Sequence, residues 1–196
     1  MAMDSRLTGE RFMSFPRTAG LLLMATLLAA CGDGTSHINI ISPNSTSLAN
    51  GGIVLRHDKV TLHVHGTPDA VIDPIGNLSI EQKPVAIDPA QRALLQDYYR
   101  NTLAVQQHGI ATGKAGVAIA GQAVRSVVRD LASGDTDNID KEVDAKASKV
   151  EQEAMKICDD LANIKTAQDN LATRLAAFKP YAGIVDADAI ADCRKD

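Results

Sequence analysis

The chain has 196 residues, 20 basic and 24 acidic side chains, a net charge of −4, no Trp, and only three Phe and three Tyr. A mildly acidic chain has no general attraction for phosphate backbones, which excludes nucleic acid as a partner class. So few aromatic residues weigh against an aromatic-lined ligand pocket and leave the core to Ala, Val, Leu and Ile, side chains that suit close helix packing.

Residues 1–30 read as a signal peptide. Arg17 supplies positive charge, Thr18 to Ala30 is an uncharged run, and Leu28-Ala29-Ala30 sets small residues before Cys31. That run is well short of the roughly 20 residues needed to span a bilayer. A start at Met13 gives a signal of ordinary length, without Asp4 and Glu10. A cysteine directly after the small residues resembles the bacterial lipobox, which implies that Cys31 is the lipid attachment site and the mature N-terminus. Gly32 follows where an inner-membrane retention signal often carries Asp, so the resemblance implies the outer membrane. The expected location is the bacterial cell envelope, lipid-anchored on the periplasmic face. Removing residues 1–30 discards three basic and two acidic residues and takes the net charge from −4 to −5.

Residues 31–50 read as a lipidated, polar, turn-rich tether with one apolar patch at Ile38 to Ile41 that suits a first strand. Residues 51–87 read as a small β unit. Short β-type runs at Ile53 to Leu55, Val60 to Val64, Ala70 to Ile72, Leu78 to Ile80 and Val85 to Ile87 are cut by turn residues, notably Asp73-Pro74-Ile75-Gly76-Asn77. Period-two alternation puts Val60, Leu62 and Val64 on one face and Thr61, His63 and His65 on the other.

At Asp88-Pro89 the period changes. Asp88 suits an N-cap and Pro89 the first helical position, where its missing N–H has no partner to lose. The spacing predicts helix one over Pro89 to Ala132, with Gly109, Gly113, Gly116 and Gly121 each costing about 1 kcal/mol relative to Ala and a kink or break near Gly109 to Gly116 left open. Helix two is predicted over Asp137 to Lys179. From Val143, through Ala147, Val150, Ala154, Ile157, Leu161, Ile164, Gln168, Leu171 and Leu175 to Phe178, its seam positions follow four-three spacing with one polar member, Gln168. Both helices come to about 65 Å, which argues for a hairpin. The fold class is therefore α+β: a small N-terminal antiparallel β unit or short β-roll, then a long antiparallel helical hairpin and a short C-terminal helix. Residues 88–196 form one compact domain with 51–87.

In the oxidising compartment implied by the signal, Cys158 and Cys193 are expected to form a disulfide. Returning from the end of helix two to reach Cys158 requires Lys179 to Val185 to run nearly extended, with a helix from Asp186 continuing in the same direction.

The stretch Asp73-Pro74-Ile75-Gly76-Asn77-Leu78-Ser79-Ile80, then Pro84-Val85 and Asp88-Pro89-Ala90-Gln91-Arg92-Ala93-Leu94-Leu95-Gln96-Asp97-Tyr98, resembles the YggN-like family of uncharacterised bacterial periplasmic or envelope proteins, a domain of unknown function. The resemblance implies an envelope protein and supplies no catalytic or ligand residues.

Other chemistry is sparse. Gly109-Ile110-Ala111-Thr112-Gly113-Lys114-Ala115 fails as a phosphate loop, having one residue too few between its glycines and Ala115 where a magnesium-binding hydroxyl belongs. It reads instead as a small-residue helix face for close helix approach or as a flexible joint. His57, His63 and His65, with Asp58 nearby, are the one metal-like cluster, without a fixed fourth ligand. No catalytic, cofactor-binding or metal residues are assigned, no cofactor is expected, and the chain is read as not an enzyme. The favoured reading is a structural or interaction module using the hairpin, with a homo-oligomer or another envelope protein as partner. The alternative is a periplasmic ligand or metal carrier using the histidine-bearing β unit.

Overall fold

A computed structural model describes residues 38–133 and 137–195, with side chains for 41–121 and 144–195. Seven antiparallel strands follow one another in chain order: β1 (Ile38–Ser42), β2 (Ser45–Leu48), β3 (Ile53–Arg56), β4 (Lys59–Leu62), β5 (Ala70–Ile72), β6 (Leu78–Ile80) and β7 (Lys83–Pro84). One face of the sheet is apolar because the register places inward residues opposite one another: Leu48 against Ile53, Leu55 against Val60, Ile53 against Leu62, Val60 against Ile72, and Ile72 against Leu78. All of these residues are buried. Two-residue turns at His57-Asp58 and Glu81-Gln82 take positive φ at both positions, the geometry that matches strand twist in a tight hairpin.

The sheet begins at Ile38, at the apolar patch expected to suit a first strand, and its second strand also falls within residues 31–50, the segment expected to form the tether. Ser42 and Ser45 close a tight turn, with the Ser45 N–H donating to Ser42 Oγ at 3.1 Å and Ser42 Oγ donating to the Ser45 carbonyl at 2.8 Å. Thr46 and Leu48 then alternate into the core. Val85 to Ile87 is not a strand. The edge strand is Lys83–Pro84, and beyond it the Val85 N–H donates to the Leu78 carbonyl at 2.8 Å while Val85 and Ile87 pack on the core. Pro84 fits this edge because it has no N–H to offer a further strand.

The first long helix, α1 (Pro89–Ser133), is opened by a reciprocal capping box. The Gln91 N–H donates to Asp88 Oδ1 at 2.8 Å, and the Asp88 N–H donates to Gln91 Oε1 at 2.9 Å. The helix runs without interruption through Gly109 to Gly116. The second, α2 (Asp137–Arg174), stops five residues before the expected Lys179. Leu175 turns to an extended conformation (φ −128°, ψ 102°), and Ala176–Tyr181 form a 3₁₀ helix that contains Pro180. This tighter turn delivers Phe178 and Tyr181 to the core, where Phe178 stacks edge-on with Tyr98 at 6.1 Å and lies 5.7 Å from Tyr181. Gln91 Nε2 donates to the Arg174 carbonyl at 2.7 Å, so one amide serves both the start of α1 and the end of α2.

The sheet's apolar face packs against Leu95, Tyr98 and Val105 of α1 and Ile157, Leu161, Ile164 and Leu171 of α2. The return to Cys158 does not need an extended segment. With α2 ending early, the 3₁₀ helix and a turn bring the chain back to α3 (Ala187–Cys193), whose N-cap Asp186 accepts from the Ala189 N–H at 2.7 Å. Cys158 and Cys193 are disulfide-bonded, with Cα atoms 5.7 Å apart.

Candidate functional site

The loop Asp73 to Asn77 and the start of α1 form one structural unit. Asp73 Oδ1 accepts from the Ile75 N–H at 3.0 Å and from the Asn77 N–H at 2.8 Å, closing the loop between β5 and β6. Arg92 hydrogen-bonds Asn77, and Gln96 Nε2 donates to the Ile75 carbonyl at 3.1 Å. Gly76 has φ +76°, and a Cβ there would meet the Arg92 carbonyl oxygen at 2.6 Å. The residues that carry the family resemblance therefore dock the sheet onto α1.

The three β-unit histidines do not share a site. His57 is in the β3–β4 turn, beside a shallow depression of about 300 Å³ bordered by Arg56, Leu103 and Gln106. His63 and His65 lie beyond the end of β4 at Leu62 and are exposed. His63 Nδ1 lies 2.7 Å from Asp69 Oδ1, beside a second depression of about 330 Å³ bordered by Asn50, Gly52 and Gly183. Among the described residues no group of three His, Cys, Asp or Glu side chains is placed to hold a metal ion. Cys31 lies outside the described residues. Among those described, no helix is long and apolar enough to cross a membrane.

The hairpin offers a different kind of surface. Up to Gly109, α1 lies against the sheet, and Gly109 itself sits on Ile41 of β1 so closely that a Cβ would overlap that side chain. Farther out the covering layer is absent among the described residues. A Cβ on Gly113, Gly116 or Gly121 would meet nothing within 4 Å, Val117 is 74% exposed, and Ala147 of α2 is exposed. Gly109 to Ser133 is about 36 Å of helix. The seam of α2 changes character at the same level: Ile157, Leu161 and Ile164 are core residues, whereas Val150 and Ala154 are only half-buried.

At the root of this arm, His108 of α1 lies between Glu153 and Asp160 of α2. Burial raises the Asp160 carboxyl above its ordinary range, the His108 charge lowers it, and Asp159 adds to the rise. Glu153 is lowered, first by its hydrogen bond with Lys156 and then by that with His108. Sequence reading missed this cluster. Its signal is a pair of acids seven residues apart on the inner side of α2, which becomes informative only once the hairpin register places His108 between them.

Residues 48–138, from β2 to the start of α2, match the model of a family described as a protein of unknown function (DUF2884). No curated protein and no solved structure matches the chain.

Proposed function

We propose that the chain is a bacterial envelope lipoprotein, anchored through Cys31 in the outer membrane, that serves as a non-enzymatic interaction module by pairing its helical arm with that of a second copy. The observation that carries this reading is that, among the described residues, no third layer covers the arm. The α1 and α2 stripes continue past Gly109, yet Val117 and Ala147, which the antiparallel register brings to one level, are both exposed.

A second arm matches this face in charge and size. By sequence, residues 109–133 of α1 carry three basic and one acidic side chain, while residues 137–156 of α2 carry six acidic and four basic ones. A twofold arrangement that sets α1 of one copy against α2 of the other pairs positive with negative twice. A face about 36 Å long and about 18 Å wide gives roughly 1,300 Å² for the pair, within the range of stable interfaces. The signal segment and the resemblance to envelope proteins support the location.

Sedimentation of the chain without its signal and lipid tests the pairing. A dimer is expected for wild type and a monomer for Val117→Glu, with the helix content of wild type kept in the variant because the site is exposed in the single chain. A wild-type monomer at high concentration would overturn the proposal. Leu161 and Ile164 are unsuitable targets, since they are core residues whose loss unfolds the body. Cys31→Ser should release the protein from membranes, and unchanged fractionation and mass would refute the anchor.

A further inference from the structure

His108 sits at the level where α1 leaves the sheet, facing two α2 carboxylates one heptad apart. Its Nδ1 is 3.0 Å from Glu153 Oε2 and its Nε2 is 3.8 Å from Asp160 Oδ2. The side chains of His108, Glu153 and Asp160 are 30%, 18% and 14% exposed. The two carboxylates are served unequally. Glu153 also accepts from Lys156 Nζ at 2.8 Å, whereas Asp160 Oδ2 is buried with no hydrogen-bond partner.

Asp159 pairs with Arg194 at 3.1 Å, and Asp192 pairs with Lys195 just beyond α3. On α1 there is no charged residue between Arg100 and Lys114 other than His108 itself, and β1, against which Gly109 rests, has none. The β3–β4 turn brings Arg56, His57 and Asp58 beside Gln106.

We propose that His108 is a proton-operated clasp at the root of the arm, serving Glu153 alone when neutral and bridging Glu153 to Asp160 when protonated. A neutral imidazole has one N–H. With it on Nδ1 toward Glu153, the Nε2 lone pair faces Asp160 Oδ2, the buried oxygen that is left without a donor. Protonation places a second N–H on Nε2, and about 1 Å of side-chain movement then closes the 3.8 Å gap to hydrogen-bond distance. Asp160 has the matching deficit, since burial penalises its charge and the positive imidazole offsets that penalty. Imidazole is the side chain suited to change charge between about pH 5 and 8, so acidification tightens α1 on α2 where the arm begins. The clasp lies within one chain and goes beyond the pairing of two.

Hydrogen exchange of the full chain, read by mass spectrometry at pH 5.5, 6.5 and 7.5 and corrected for intrinsic exchange, tests the clasp. Measuring at two protein concentrations separates it from pairing between copies. Protection of peptides spanning 104–112 and 150–161 should rise about two- to fivefold from pH 7.5 to 5.5 at both concentrations, the size of a partly exposed ion pair. His108→Gln should abolish that rise and Asp160→Asn should remove most of it. A wild-type profile without the rise, a rise retained in His108→Gln, or one confined to the higher concentration would overturn the proposal. If His108→Gln does not fold, Asp160→Asn decides alone, and an unchanged rise in it would sink the clasp.

Discussion

Gln168 and Val185 exchange two hydrogen bonds in the core: the Val185 N–H donates to Gln168 Oε1 at 3.1 Å, and Gln168 Nε2 donates to the Val185 carbonyl at 2.9 Å. The same Nε2 also donates to the Ala182 carbonyl at 2.6 Å. This explains the one polar residue in the seam of α2. The side chain is fully buried, and its amide reproduces the partners that a strand would give to a returning segment that forms neither strand nor helix.

Replacing Gln168 with Leu keeps the volume but leaves the Val185 N–H and two carbonyls in the core without these partners. Each orphaned group costs about 1–3 kcal/mol, so a loss of about 2–4 kcal/mol is expected after partial relaxation. Urea denaturation checks this, and a midpoint equal to wild type would show that the latch contributes nothing.

The glycines separate into two groups with opposite predicted responses. Gly76→Ala puts a Cβ at positive φ and 2.6 Å from the Arg92 carbonyl oxygen, so docking of the β5–β6 loop on α1 must give way at a cost of about 2 kcal/mol or more. Gly113→Ala meets nothing and should gain up to about 1 kcal/mol of helix propensity. Thermal denaturation of both variants gives the comparison, and the prediction fails if the midpoints move the same way.

These positions also show what could be read from sequence. Asp88-Pro89, the Asp73 to Asn77 turn and the heptads of α2 act locally, through caps, restricted φ and side-chain spacing, so the α+β order and the hairpin were legible. The apolar patch Ile38 to Ile41 pointed to β1, but β2 was harder to read because Ser42 to Ser45 has a tether's composition, and burial of Thr46 follows from its pairing with Leu55 across the sheet. The end of α2 was misplaced because Phe178 keeps the seam spacing while reaching the core from a 3₁₀ turn. His108 gave no local signal, since its partners are supplied by a helix 45 residues away in sequence.

Glu153 and Asp160 should respond to pH in opposite directions. Glu153 is held below its ordinary value of 4.5, so it contributes stability above that value and loses it as pH falls through the lower folded-state value. Asp160 is raised above 3.8, so its ionised form opposes folding at neutral pH, and that penalty disappears as pH falls through its folded-state value. Glu153→Gln is therefore expected to lower stability at pH 7 and Asp160→Asn to raise it, with the differences shrinking toward pH 3. Denaturation midpoints at pH 3, 5 and 7 check the signs, and a destabilised Asp160→Asn at pH 7 would contradict the assignment.

Cys193→Ser should separate the two devices that hold the C-terminal end. The disulfide closes a loop with a sequence separation of 35, which restricts the unfolded chain by about 3–4 kcal/mol in the entropy model. That restriction is lost in the variant, so global stability should fall by about this amount. In the native state, however, Gln168 still binds the backbone at Ala182 and Val185, upstream of α3. Extra exchange should therefore be confined to α3, from Ala187 onward, with Tyr181 to Val185 remaining protected. Hydrogen exchange of oxidised wild type and the variant distinguishes the two contributions. Loss of protection extending back through Val185 would show that the disulfide, and not Gln168, positions the returning chain.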